Sequence, residues 1–165
     1  YQSILDIEVW VDGNPAESYA ATYVAAAAER IGRIADDDLV NAVVTRYLRP
    51  DGVLRELVRF ARRLGGDGGY QVDEANIGGV RVMLAEGRGE AWALWAAGNH
   101  VIKVGGRGRD AVPENLIESY GERYPSDVPG GVMEGPLPPG PDPTVAPPVD
   151  YDPNNPTPDY DGGDE

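Results

Sequence analysis

The side chains of this 165-residue chain that are suited to chemistry are few: one histidine (His100), four serines, a glycine-rich loop after His100, and oxygen donors near the C-terminus. The donors come first, because they repeat. Asp150-Tyr151-Asp152 recurs as Asp159-Tyr160-Asp161. Asp150, Asp152 and Asn154 match the opening of a calcium loop, with Asp161 at its twelfth position. Asn155 stands where the loop needs glycine, Asp161 where it needs a bidentate glutamate, and prolines oppose the turn. A full EF-hand is therefore ruled out. The metal expectation is a weak calcium site built from Asp150, Asp152, Asn154, Asp159 and Asp161, set against plain solubilising charge with tyrosines as anchors.

Gly106-Arg107-Gly108-Arg109-Asp110-Ala111 satisfies the loose dinucleotide pattern G-x-G-x-x-G/A between a strand and a helix. Its context is wrong: the preceding strands are hairpin-linked, hence antiparallel, and no strand follows to complete a βαβ unit. An exposed arginine-bearing turn is expected instead. His100 sits just past a hairpin turn with no residue nominated to orient it as a base. Ser3, Ser18, Ser119 and Ser126 lack the context of a nucleophile. Asp36-Asp37-Asp38 reads as charge at a helix start, where the dipole is positive. No catalytic site and no cofactor beyond weak calcium are expected, so the chain is read as a non-enzyme.

Charge and composition direct attention to the C-terminus. The formal net charge is −14. Residues 1–124 hold 19 acidic and 14 basic side chains; residues 125–165 hold 9 acidic and none basic. Twelve of the 15 prolines lie between Pro125 and Pro158. Such a stretch builds no core and prefers extended, polyproline-like conformations. An overall acidic surface makes nucleic acid an unsuitable partner. There is no cysteine, which removes disulfides and thiolate chemistry. No apolar run approaches the ~20 residues of a membrane helix. The chain starts at Tyr1 without methionine, as an exported mature protein does, and an extracellular or cell-surface location is the expectation.

The elements behind these residues centre on Val80 to Val104, which alternates as three antiparallel strands joined by Gly87-Arg88-Gly89 and Gly98-Asn99, the latter suited to a type II′ turn. Trp92 and Trp95 supply the largest apolar surface, on opposite faces. Ile4 to Val11 alternates as a fourth strand, joining this sheet or another subunit's edge. Asn14-Pro15 opens an alanine-rich helix to about Ile34. Leu39 to Leu48 carries a second helical stripe, with a strand over Val43 to Leu48 as the alternative. Val53 to Leu64 is a third helix closed by Gly65-Gly66, Tyr70 to Ile77 a short strand, and Pro113 opens a last helix bearing Leu116, Ile117 and Tyr120.

The predicted architecture is α+β: a two-layer sandwich, residues 1–124, with an antiparallel sheet of about four strands and helices on one face, followed by an acidic Pro/Gly-rich arm, residues 125–165. Arg55, Arg59, Arg62 and Arg63 lie near one another on the third helix. They read as a solvated face or as a docking stripe for the acidic arm. Ordering some forty residues costs roughly 1–2 kcal/mol each, so an ordered arm needs an extended surface, most simply that of neighbouring subunits. The functional expectation is a structural subunit of an exported homopolymeric, filament-like or surface assembly. Its contacts would be Tyr151 and Tyr160 in apolar grooves and arm carboxylates near the arginines. The second expectation is a binding module or accessory subunit of an envelope complex, using an exposed sheet face near Trp10 and Trp95 with the arm as spacer.

Overall fold

The structure, a computed structural model, describes residues 2–140. One antiparallel sheet of six strands organises it, in the order β1-β2-β6-β5-β4-β3. The strands are β1 (Ala16–Val24), β2 (Leu39–Tyr47), β3 (Gln71–Ile77), β4 (Val80–Gly87), β5 (Glu90–Ala97) and β6 (His100–Arg107). The helices are α1 (Ala26–Ile31), α2 (Val53–Gly66) and α3 (Glu114–Arg123).

Strands β3 to β6 form a meander because each link is a tight turn that glycine makes available. Gly78-Gly79 (φ 58° and 81°) and Arg88-Gly89 (φ 52° and 74°) have positive φ at both positions, as type I′ hairpins require. At Gly98-Asn99 only the glycine does (φ 57°), in keeping with the type II′ expectation. The chain reaches β3 from β2 through α2, which crosses the sheet, so β2 closes back on β6 and β1 becomes the outer edge.

The sheet thus has six strands where about four are expected: residues 4–11 supply none, β3 is the short strand expected over Tyr70 to Ile77, and β1 and β2 come from segments with helical patterning. Ala16–Val24 forms β1 and only Ala26–Ile31 stays helical. Alanine's helix preference is worth tenths of a kcal/mol per residue, and a nine-residue ladder against β2 outweighs it. Within β1, Tyr19, Ala21 and Tyr23 share a face at period two. Leu39–Tyr47 is likewise a strand; its β-branched Val40, Val43, Val44 and Thr45 fit a pleated surface. Asp36–Asp38 forms a single 3-10 turn leading into that strand, not the start of a helix, and the Asp38 carboxylate accepts the Ala35 N–H (2.9 Å).

Residues 4–11 alternate but make no strand. They lie over one sheet face as an irregular segment with Ile4, Val9 and Val11 buried. Two buried charges hold them there. Lys103 Nζ donates to the carbonyls of Ile4 (2.7 Å), Leu5 (3.3 Å) and Ile7 (2.8 Å). Glu90 Oε1 accepts from Ser3 Oγ (2.7 Å), Ile4 N (3.3 Å) and Trp92 Nε1 (2.8 Å), and Oε2 from Tyr70 OH (3.1 Å). The Tyr47 hydroxyl donates to the Val9 carbonyl. Because these backbone groups are satisfied by side chains, the segment needs no ladder.

The helices do not share one face as expected. Strand pairing places Glu74, Met83, Leu94 and Lys103 on one face, and α2 packs there with residues 4–11. Ala75, Val82, Trp95 and Ile102 occupy the other, where α3 lies so close that a Cβ on Gly121 would stand 2.1 Å from Val80 Cγ2. Both faces of β5 are consequently buried, and Trp92 and Trp95 are wholly enclosed. The α2 stripe follows the sequence reading, with Val53, Leu57, Val58, Ala61 and Leu64 buried.

Packing continues past residue 125. Asp127 N donates to the Ala96 carbonyl (2.7 Å), and Val128 and Val132 join the core. Glu74 accepts the N–H groups of Gly131 (2.8 Å) and Met133 (3.2 Å). Among the described residues, no helix is long and apolar enough to cross a membrane.

Candidate functional site

The face carrying α3 is covered on only one side of the sheet. Toward β1 it opens into a groove of about 1060 Å³. Its floor is small because β1 and β2 place Ala21, Ala42 and Val44 there. Its walls are aromatic: Tyr19 and Tyr23 rise from β1, Tyr120 from α3, and Tyr124 from the residue that ends α3. Arg46, His100, Arg123 and Asp127 supply the polar rim.

The rings are positioned by one another. Tyr23 and Tyr120 meet edge to face with centroids 6.5 Å apart, and their hydroxyls hydrogen-bond at 2.8 Å, bridging sheet edge and helix. His100 packs against Tyr124 at 5.0 Å, and the Arg123 guanidinium lies 5.7 Å from the Tyr124 centroid. Arg46 pairs with Glu17 (3.4 Å), which also accepts the Tyr19 hydroxyl (2.7 Å). Asp127 accepts the Gly98 N–H and so fixes the end of the groove. Burial pushes the Tyr120 hydroxyl up to about 12, helped by its bond to Tyr23. Tyr19 is raised by its hydrogen bond to Glu17. These hydroxyls therefore stay protonated at neutral pH, as donors and acceptors. His100 and Ser119 both reach the groove, yet among the described residues no hydrogen bond joins them.

The residues singled out from sequence are scattered by the fold. Trp95 is fully buried and its Nε1 donates to the Tyr124 carbonyl (2.9 Å), so it offers no binding face. That corrects the expected Trp10–Trp95 surface: α3 and the chain after it cover Trp95. Trp10 is 55% exposed, on the irregular N-terminal segment. The arginine stripe on α2 divides. Arg62 donates to the carbonyls of Val132 (2.7 Å), Glu134 (3.2 Å) and Gly135 (3.0 Å), and Arg55 to that of Pro138 (3.0 Å). Arg59 pairs with Glu56 (3.5 Å), and Arg63 is exposed. These partners within 132–138 are backbone carbonyls of the same chain, not carboxylates. Tyr151, Tyr160 and the calcium candidates Asp150, Asp152, Asn154, Asp159 and Asp161 lie outside the described residues. Among the described residues no group of three or more His, Asp or Glu could hold a metal ion.

Sequence reasoning missed the groove because it placed Tyr19 and Tyr23 within the alanine-rich helix expected to about Ile34, not on an edge strand. It passed over Glu90 and Lys103 as ordinary strand residues. The available signal was Lys103 itself, the single lysine of the chain, flanked by Ile102 and Val104.

Comparison with known proteins finds no matching family model, no matching curated protein and no matching solved structure.

Proposed function

We propose that this chain is a non-catalytic structural subunit of a homomeric surface assembly, in which the acidic proline-rich arm of one subunit lies in the tyrosine-lined groove of a neighbour. One observation carries this reading: the chemistry of the groove complements that of the arm. Residues 141–165 contain seven prolines, seven acids and no basic side chain. Polyproline segments dock in aromatic-lined grooves because their conformation is already set and little entropy is lost. Arg46, Arg123 and His100 stand where arm carboxylates would pass.

The described chain ends on the sheet face opposite its own groove. Gly140 lies beside Arg55, on the α2 side of the sheet, whereas the groove opens on the α3 side. An arm of this length spans roughly 75 Å when extended, enough to reach another subunit. A foreign proline-rich segment in the same groove is the competing reading, with the arm then a spacer.

The test compares the mass in solution of the full chain with that of a chain ending at Gly140, which retains the buried Val128 and Val132. The full chain should form the larger species, weakening as salt rises. A peptide of residues 141–165 should bind the shortened body, and Tyr23→Ala with Arg123→Glu should abolish binding. Equal masses together with no peptide binding would refute the proposal.

A further inference from the structure

The outer edge of the sheet is built to pair with itself. Strand β1 runs against β2 in one unbroken register, Ala16 opposite Tyr47 through Val24 opposite Leu39, without a bulge. Two hydrogen bonds at its ends fix the phase of the ladder: Leu48 N–H to the Pro15 carbonyl (3.0 Å) and Ala25 N–H to the Asp38 carbonyl (2.9 Å). In an antiparallel pair every second residue bonds to its partner strand. Odd-numbered residues of β1 therefore turn their N–H and C=O toward β2. Ala16, Ser18, Ala20, Thr22 and Val24 turn theirs outward, and no further strand covers them among the described residues.

Proteins blunt such edges with lysine, proline, bulges or a covering element. This strand, AESYAATYV, has none of the first three, and its single charge is Glu17. Apolar surface lines it instead. Tyr19 is 56% exposed, and Tyr23 and Val24 are also open. Ile31 (72%) and Ile34 (56%) extend the strip into the connection after α1.

We infer that β1 pairs antiparallel with β1 of a second copy about a two-fold axis through Ala20, joining two six-stranded sheets into one. The arm is a poor occupant of this edge. Its prolines lack N–H groups and interrupt it at short intervals, whereas the edge calls for a donor at every second position. A second β1 supplies them all. With Ala20 opposite Ala20, Ser18 faces Thr22 and Ala16 faces Val24, and each outward residue can donate one bond and accept one. On the groove face Tyr19 meets Ala21 and Glu17 meets Tyr23, so large side chains oppose smaller or uncharged ones and no like charges meet. Nine residues at ~3.4 Å make a seam of about 30 Å. With the side chains on both its faces it covers roughly 500 Å² per copy, near the ~1,000 Å² total at which specific interfaces begin. This contact does not depend on the arm.

The experiment uses the full chain and the chain ending at Gly140, weighed by sedimentation across a concentration series. Both should reversibly form dimers, the full chain adding arm-dependent species. Ala20→Pro removes only an outward N–H and projects its ring into the seam, so the fold should persist while the dimer dissociation constant rises about a hundredfold or more. Circular dichroism checks that it folds. Ser18→Lys with Thr22→Lys sets lysine against lysine across the axis and should give monomers. Ser18→Lys with Thr22→Glu loses the same native bonds to Thr45 and Asn41 but sets lysine against glutamate, and should restore the dimer. Monomeric protein at 100-fold dilution steps up to about millimolar, where ~4 kcal/mol of association would register, overturns the inference. So does a dimer indifferent to all three variants. Failure of arm binding with the dimer intact would count against the groove proposal alone.

Discussion

Lys103 gives the fold a measurable dependence on pH. Its ammonium is enclosed between the sheet and residues 4–7, bonded to three carbonyls and to no carboxylate. Burial lowers it from 10.5 to about 8, against the opposing pull of Glu8 and Asp6. Between pH 8 and 10.5 the unfolded chain keeps a proton on Lys103 that the native chain has shed, so this group's contribution to stability rises with pH across that window. Below pH 8 the whole disadvantage of the buried charge is present. At ~1.36 kcal/mol per unit it amounts to about 3 kcal/mol at pH 7. Above pH 10 the order reverses, because burial raises Tyr47, Tyr70 and Tyr120 and the unfolded tyrosines ionise first. Urea unfolding followed by tryptophan fluorescence reads this directly, since Trp92 and Trp95 are fully buried. Relative to Lys103→Met, which shares the tyrosine contribution, the native protein should gain about 2.5 kcal/mol from pH 7 to pH 10. Lys103→Met, which keeps the packing and cannot titrate, should show no gain. A flat difference between the native and variant curves over pH 8–10 would refute the reasoning.

Other consequences are simpler to test. Ending the chain at Asp127 deletes Val128 and Val132 and leaves Glu74 without its two amide donors; a loss of about 3–6 kcal/mol is expected for the two valines, seen in thermal melts against the chain ending at Gly140. Glu90→Leu strands the Trp92 indole, the Ser3 and Tyr70 hydroxyls and the Ile4 amide, and should cost about 3 kcal/mol while freeing residues 2–7 to amide exchange. Gly105→Ala would put a Cβ 2.1 Å from the Ala91 carbonyl oxygen and 2.8 Å from Trp92 Cα, backbone that has nowhere to go, so a loss of at least ~2 kcal/mol is expected in the same melts.

Much of the meander was legible because its signals are local. Hairpin turns declare themselves through Gly87-Arg88-Gly89 and Gly98-Asn99, and the α2 stripe through period 3.6. The first half of the chain misleads for a physical reason. Ala16–Val24 and Leu39–Tyr47 have weak or divided local preferences, and their conformation is chosen by partners up to 64 residues away, as where Asn41 pairs with Gly105. Residues 4–11 carry a strand's alternation, but Lys103 and Glu90 satisfy their backbone from the side. The groove was illegible because it is assembled from β1, β2, β6 and α3, four segments with no shared motif.

By itself the amino-acid sequence determined where the chain turns, which helix face is apolar, and that acid and proline concentrate toward the C-terminus, since each of these follows from residues a few positions apart. Only the tertiary structure decided that the sheet has six strands, that β1 stands at its edge with one row of amides facing outward, and that two tyrosines of that strand wall a groove. Strand pairing is a non-local choice, made by whichever partner completes the ladder and buries the larger surface.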